Sequence, residues 1–405
     1  MFSEVILMAW HFFTDRNGHD FILSEHLAIY ILSLLDPQSR YNVSLTNKNW
    51  YHFVQLTNKY FSLLPTIQSI PMFSQVTIDV LRFKLMTGGM TNATYRLTVN
   101  SHYGWPGIDS ELINDYQRKK WVVRFPGDVS LFAVERRHEK HNAKLASRMG
   151  LNVPMAYFNK KNGVQVTEFI KGVQSIDETM LERDDFLVTL AEKAKLLHTS
   201  ERFSNDIFVF ERNDYLLRSL KEKNFKLVDQ VDFISNKMDE LERLFSTYAI
   251  KMCPCHNDST PLNYMLAHNK DTEEEKIYQI DWEYSGNNDF LWDLVYFAIE
   301  AKLSEKQILT YLTGYFRSDY VNKSVWAWFV AYKPVVEWWI TLWSWTQLAN
   351  EAKAVNSDEY EKLGQERFDR TLMHLNSTAF KEALSIIEAD RLSDTVINHR
   401  SFEIG

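Results

Sequence analysis

A chain of 405 residues with 45% apolar and 24% charged residues can bury a sizeable core and is long for a single domain, which excludes general disorder and predicts more than one compact body. Lysine and arginine number 45 against 53 aspartates and glutamates, a net charge of -8 with no dense basic run, so the sequence argues against a nucleic-acid partner. The only two cysteines, Cys253 and Cys255, are too few for a structural zinc site and too close in sequence for an easy mutual disulfide, and they read as reduced thiols of a cytoplasmic protein.

The opening MFSEVILMAWHFF is apolar, but Glu4 interrupts it, no basic stretch precedes it, and His11 and Asp15 close it early. Neither a signal peptide nor a membrane span is expected. Residues 1–70 read as a small helical module: Leu27, Ile31, Leu34 and Leu35, then Val43 and Leu45, then Trp50 and Val54 recur at helical spacing, with a break at Asp36 and Pro37. From about residue 74 the period changes. QVTIDVLRFKL and ATYRLTV read as paired strands around the turn TGGMTN, and KKWVVRF as a third strand after a polar insertion, Ser101 to Lys119. Helical spacing follows from Leu131 to Met149, then two short strands, MAYF and VQVTEFI, around Asn162 and Gly163. Residues 74–170 therefore predict a small sheet-plus-helix body. From 171 to 405 the pattern is mostly helical, apart from CHNDSTPLNYML and IYQIDWEY, a loop and strand hairpin joined by the charged turn NKDTEEEK. The fold class is α+β.

The chemistry concentrates in that hairpin. Asp258 precedes Asn263 by five residues, and Asp281 follows the apolar approach IYQI. Phosphoryl transfer from a nucleotide asks a protein to orient a hydroxyl nucleophile and to hold divalent metal against the phosphates. One carboxylate at the hydroxyl, with an amide and a second carboxylate on the metal, meets that need, and the protein-kinase catalytic loop has the same offset of five between its Asp and Asn. A capped turn with a buried Asp and His is the structural alternative. His256 belongs to the same catalytic segment, where bracing the loop by hydrogen bonding competes with proton transfer as its role. His198, in KLLHTS, reads as a packed helix residue. Upstream, Gly88 and Gly89 offer flexible backbone amides of the kind that cradle phosphate oxygens, with Thr91 and Asn92 beside them; a plain hairpin fits equally. Arg124, on the strand WVVRF, stands where a nucleotide-binding sheet would place a cation, and Glu139 on the next helix is a candidate bidentate partner for it.

The segments GGMTNATY, VVRFPG, RRHEKHN, GLNVPMAYF, TEFIKG, HNDSTPLNYML and IDWEYSGNNDFLWDLVYF together resemble the choline and ethanolamine kinase family, nearest its bacterial phosphorylcholine-pathway branch, within the aminoglycoside-phosphotransferase-like kinases. The similarity runs over roughly residues 75–350. It implies a two-lobed protein-kinase-like fold, with residues 74–170 as the nucleotide-binding lobe and 171–405 as a helical lobe carrying the catalytic loop and acceptor pocket. It further implies ATP and Mg2+ as cofactors, Asp258 as catalytic base, Asn263 and Asp281 as metal ligands, Arg124 with Glu139 as the nucleotide-lobe ion pair, and Thr167, Glu168 and Phe169 near the adenine.

Choline carries a quaternary ammonium, which donates no hydrogen bond and is held best by aromatic faces and diffuse negative charge. Six of the 12 tryptophans lie between residues 326 and 345, with Trp339 and Trp343 four apart on one helical face. These two rings, with Glu283, Tyr284 and Glu300, are the candidate acceptor lining; an aromatic stripe that is merely core is the alternative for each ring, and Asp289 is either lining or a helix cap. The family's LWxxxQ pattern is met by Leu342, Trp343 and Gln347, yet Ile340 stands where a tryptophan is expected three residues before Trp343. That departure leaves choline, ethanolamine and other acceptors such as an aminoglycoside open. FILSEHLAIYILSLLDPQSRYNVSLTNKNWYHFV resembles an F-box, with its Leu35 to Pro37 break and closing Lys48 and Trp50. An F-box would recruit the adaptor subunit of an SCF ubiquitin ligase through residues 21–60; a plain helical extension is the alternative. The combination would suit a bacterial effector acting in a host cytosol, using the kinase-like body for catalysis or for target binding.

Overall fold

The computed structural model describes residues 25–45, 48–78, 80–86, 92–99, 120–126, 134–268, 275–317, 321–351, 357–391, 400 and 402. The chain divides into two compact units, one of residues 1–86 with 94–123, the other of 87–93 with 124–405.

Among the described residues the first unit opens with helices α1 (Glu25–Ser33), α2 (Pro37–Ser44) and α3 (Lys48–Gln68). The predicted break is a helix start: the Asp36 carboxylate accepts from Ser39 N at 3.0 Å, and Pro37, lacking an N–H, fills the first helical position. Ala28, Ile29 and Leu32 of α1 and Val54, Thr57, Tyr60 and Ile67 of α3 are buried, each set on one side of its helix, and α1 and α2 pack on α3. Strands β1 (Leu81–Met86) and β2 (Asn92–Val99) pair antiparallel from Leu81 with Val99 to Met86 with Thr94. The strand expected from residue 75 starts only at Leu81, because the preceding backbone is spent on turns: Val76 N donates to Phe73 O and Val80 N to Thr77 O. Tyr60 fastens α3 to β1, its hydroxyl accepting from Phe83 N at 2.8 Å and donating to Phe83 O at 3.3 Å.

In the second unit, the C-terminal half of β3 (Trp121–Pro126) leads to α4 (Arg136–Arg148), which is shorter than the expected 131–149; residues 131–133 lie outside the described ones. Strands β4 (Met155–Phe158) and β5 (Gln165–Glu168) form the predicted hairpin, turned at Gly163 with a left-handed φ of 72°. A Cβ there would also lie 2.6 Å from Arg136 Nε, so the turn and the close approach both require glycine. Strand β6 (Val173–Ser175) and helices α5 (Glu178–Leu181), α6 (Asp184–His198), α7 (Val209–Glu222) and α8 (Val231–Phe245) follow. Then come β7 (Cys253–Cys255), the hairpin β8 (Tyr264–His268) with β9 (Glu275–Gln279), and β10 (Gly286–Asn288), which pairs with β7. Residues 269–274 of the charged hairpin turn are outside the described ones.

Helices α9 (Phe290–Glu300), α10 (Glu305–Phe316), α11 (Lys323–Ala349), α12 (Ser357–Asn376) and α13 (Thr378–Ala389) complete the unit. From Phe290 to Ile299 α9 is buried on every side, and α11 buries Trp328, Trp338, Trp339 and Trp345, so most of the tryptophan cluster is hydrophobic core. The C-terminal helices α12 and α13 pack on α11.

Candidate active site

Two strand pairs deliver the central carboxylates. Residues 256–263 leave β7 as a loop that β10 and α9 hold from behind. His256 N and Asn257 N donate to the two oxygens of Asp293 at 2.7 and 2.8 Å, and the Asn257 side chain donates to Tyr284 O and Gly286 O. Burial pulls the Asp293 carboxyl upward, but His198 and these amide donors outweigh it and hold the group below the usual carboxylate range. Asn257 and Asp281 both take left-handed backbone, φ 65°, which asparagine and aspartate tolerate better than other residues bearing a side chain. That conformation at Asp281 turns the chain off the end of β9 into the short helical turn Trp282–Tyr284.

Asp258 is bound on both oxygens, accepting from Tyr296 OH at 2.9 Å and from Asn263 Nδ2 at 2.9 Å. Burial, with the Asp281 charge second, pushes its carboxyl up to about 7. Asn263 spends its amide nitrogen on Asp258, which leaves the amide oxygen as the atom it has to offer. His256 is fully buried, its Nε2 bonded to Ile280 O at 2.9 Å and its ring 4.7 Å from that of Trp282. Burial depresses its pKa, and these contacts brace the loop. His198 is packed as expected, bridging Tyr315 OH and Asp293.

Arg124 is buried and reaches Glu139, Asp281 and Glu283. The expected pair with Glu139 forms at 2.5 Å, but through one carboxylate oxygen only, because Arg136 Nη1 takes the other at 2.6 Å. Burial alone would lower the pKa of Arg124; the charges of Asp281, Glu139 and Glu283 raise it above the ordinary guanidinium value. Glu168 ends β5 and Phe169 follows it, both partly buried, and Asn92 opens β2. Gly88, Gly89 and Thr91 lie outside the described residues.

Asp258, Asn263, Asp281, Glu283, Tyr284, Glu300, Trp339 and Trp343 line one cavity of about 160 Å³, together with Tyr296, Ile340 and Leu363. Trp343 Nε1 donates to Tyr284 OH at 2.9 Å, and Tyr284 meets the Trp339 ring edge-on, centroids 6.1 Å apart. Glu300 is paired with Arg367 of α12 at 2.7 Å. Asp289 is the N-cap of α9, accepting from Leu291 N and paired with buried Arg400, and is absent from the cavity wall.

Sequence reasoning misses Tyr296, Arg136, Asp293, Arg367 and Leu363. For Tyr296 and Asp293 a signal exists: both sit in FLWDLVYF, immediately after the IDWEYSG segment. Arg367 and Leu363 belong to the C-terminal region, to which the sequence assigns no role.

The fold and the cavity describe a class built to present carboxylates, an amide and buried arginines around a small pocket. A family model for choline/ethanolamine kinase matches residues 83–326, and one for the F-box domain matches residues 21–62. The chain belongs to the choline/ethanolamine kinase family. Protein LicA of Haemophilus influenzae is 29% identical over 222 residues, 54% of this chain and 58% of that protein; the chain thus spans little more than half the relative's length. Among solved structures, a choline/ethanolamine kinase family protein from Mesorhizobium loti superposes with a TM-score of 0.64 at 21% identity, covering 81% of this chain and 98% of that one. Choline kinase LicA from Streptococcus pneumoniae gives a TM-score of 0.59 at 21% identity, covering 77% and 98%. At these identities the likeness establishes the fold. Among the described residues no helix is long and apolar enough to cross a membrane.

Proposed function

We propose that the chain is an ATP-dependent phosphotransferase acting on the hydroxyl of choline or a close amino alcohol. The observation that carries the reading is the convergence of Asp258, Asn263 and Asp281, distant in sequence, on one cavity with aromatic and acidic walls. Asp258 is the base: Tyr296 and Asn263 fix its orientation, and a carboxyl raised to about 7 by burial is matched to accepting a hydroxyl proton near neutrality. Asn263 and Asp281 present oxygen ligands only, the donor set that magnesium prefers, and the buried Arg124, held by Glu139 and Glu283, is the cation for nucleotide phosphates. Bound magnesium would neutralise charge on the transferring phosphoryl group. Gly88, Gly89, Thr91 and Asn92 are assigned to the phosphates, and Glu168 with Phe169 to the adenine, on the family resemblance.

For the acceptor, Trp343, Tyr284, Trp339, Glu283 and Glu300 supply aromatic faces and carboxylates suited to an ammonium group. The cavity of about 160 Å³ is smaller than those that hold drug-sized ligands, which favours an amino alcohol over an aminoglycoside. The test is a panel of choline, ethanolamine and an aminoglycoside with labelled ATP and magnesium. Labelled phosphocholine or phosphoethanolamine is expected; transfer to the aminoglycoside alone would replace this acceptor class.

A second reading concerns α1–α3 and is compatible with the first. Besides the F-box match, Leu34 and Leu45 are 69% and 67% exposed, and Tyr41 and Tyr51 of the same helical segment are also exposed. We assign this surface to the adaptor subunit of an SCF ubiquitin ligase, so that the chain works in a eukaryotic cytosol. Co-purification of the full chain with that adaptor is expected, and failure to bind at micromolar concentration would remove the reading.

A further inference from the structure

Trp339 lines the acceptor cavity, yet one of its ring faces is already taken. The guanidinium carbon of Arg212, on α7, lies 3.5 Å from the centroid of that ring and 5.2 Å from that of Trp292. Arg212 Nε and Nη2 are shut off from solvent and have no hydrogen-bond partner among the described residues. This differs from the buried arginines near the site. Arg124, Arg136 and Arg367 each meet carboxylates within 3.5 Å. Burial pushes the Arg212 pKa down to about 10, with only Tyr296, Tyr284 and Asp258 favouring its charged form, so it remains a cation at neutral pH.

Arg212 is partly buried, and a cation with two nitrogens cut off from water and no paired carboxylate costs stability, so packing alone is a poor reason for its presence where a methionine of similar length would fill the space. Its charge has a defined consequence. Aromatic rings attract cations through the negative potential above each face, and a cation fixed on one face opposes that attraction on the other, the more so where little water screens it. We propose that Arg212 is a specificity-determining residue: seated on Trp339, it weakens that ring as a receptor for a cationic acceptor. The ammonium is then held mainly by Trp343, Tyr284 and Glu300, and the pocket discriminates less sharply between a charged alcohol and an uncharged one of the same shape. The inference rests on the acceptor reading above and assigns to Trp339 a weaker part than its place in the sequence suggests.

The experiment uses the full chain as wild type, Arg212→Met, which keeps the length and drops the charge, and Arg212→Lys, which keeps a charge. Each is assayed with choline and with its neutral isostere, in which carbon replaces the nitrogen. Binding of tetramethylammonium is followed separately by tryptophan fluorescence. Arg212→Met is expected to raise the kcat/KM preference for choline over the isostere by about tenfold, through a lower KM for choline, and to bind tetramethylammonium about tenfold more tightly. Arg212→Lys should stay within about twofold of wild type on both readouts if a charge on the ring is what matters. An unchanged preference and unchanged tetramethylammonium affinity in a cooperatively folded Arg212→Met, or a parallel rise in both KM values, would overturn the proposal. If wild type phosphorylates neither alcohol while Arg212→Met still binds tetramethylammonium more tightly, the acceptor reading falls and the role of Arg212 stands.

Discussion

The helices before β1 and the cavity around Asp258 distribute polarity in opposite ways. Just past the ends of α1 and α2, Leu34 and Leu45 stand in solvent while Ala28, Ile29 and Leu32 build the interior, leaving apolar surface uncovered. In the cavity wall Glu283, and behind it Glu139, are 5% and 2% exposed, so charge has been taken out of water and held by arginines. Exposed apolar side chains gain free energy when another protein covers them. Buried carboxylates are costly unless they are paired or used, and where they cluster with shifted pKa values they point to chemistry. One chain thus carries a surface suited to a macromolecule and a pocket suited to a small one.

Substitutions should separate the two. The largest effect is expected for Asp281→Ala, which removes a proposed metal ligand and a partner of Arg124: phosphoryl transfer should fall by about a thousandfold and the half-saturating magnesium concentration should rise. A variant with wild-type turnover and magnesium dependence would remove Asp281 from the site. Next in size, Leu34→Asp combined with Leu45→Asp should weaken adaptor binding at least about tenfold, since charge is placed in an apolar contact. Turnover of that variant should be unchanged, as measured on the same preparation; a matched loss of turnover would mean the two regions are not independent. A fragment of α1–α3 is a poor substitute for the full chain in this assay, because Tyr60 of α3 is bonded to the backbone of β1.

The smallest effect is on stability. The Asp258 carboxyl is raised to about 7 by burial and by Asp281. A raised carboxyl favours folding in its protonated form; its contribution is complete below the ordinary value of 3.8 and is lost as pH climbs through about 7. Asp258→Asn should therefore be more stable than wild type at pH 8, with the gap closing toward pH 4 in urea titrations. A gap that is constant across that range would contradict the raised pKa.

Much of this was readable from the chain because its information is local. The Asp36 and Pro37 break, the β4 and β5 hairpin, and the loop with Asp258 and Asn263 each depend on residues a few positions apart. The sharing of Glu139 between Arg124 and Arg136, the Arg400 pair at Asp289, and the contact of Arg367 with Glu300 depend on elements far apart in sequence, which periodicity does not bring together. The tryptophan run shows the difficulty in one helix. Spacing puts Trp339 and Trp343 on one face, but that Trp339 carries Arg212 is decided by the packing of α7 against α11, and no local pattern encodes it.

The central claim is that the Asp258 carboxylate accepts the proton of the alcohol. The most direct measurement is single-turnover transfer from labelled ATP to saturating choline by wild type and Asp258→Asn, with choline binding and folding checked on the same samples. The rate in Asp258→Asn should be at least about a thousandfold lower, with binding retained. Transfer at the wild-type rate by that variant would contradict it.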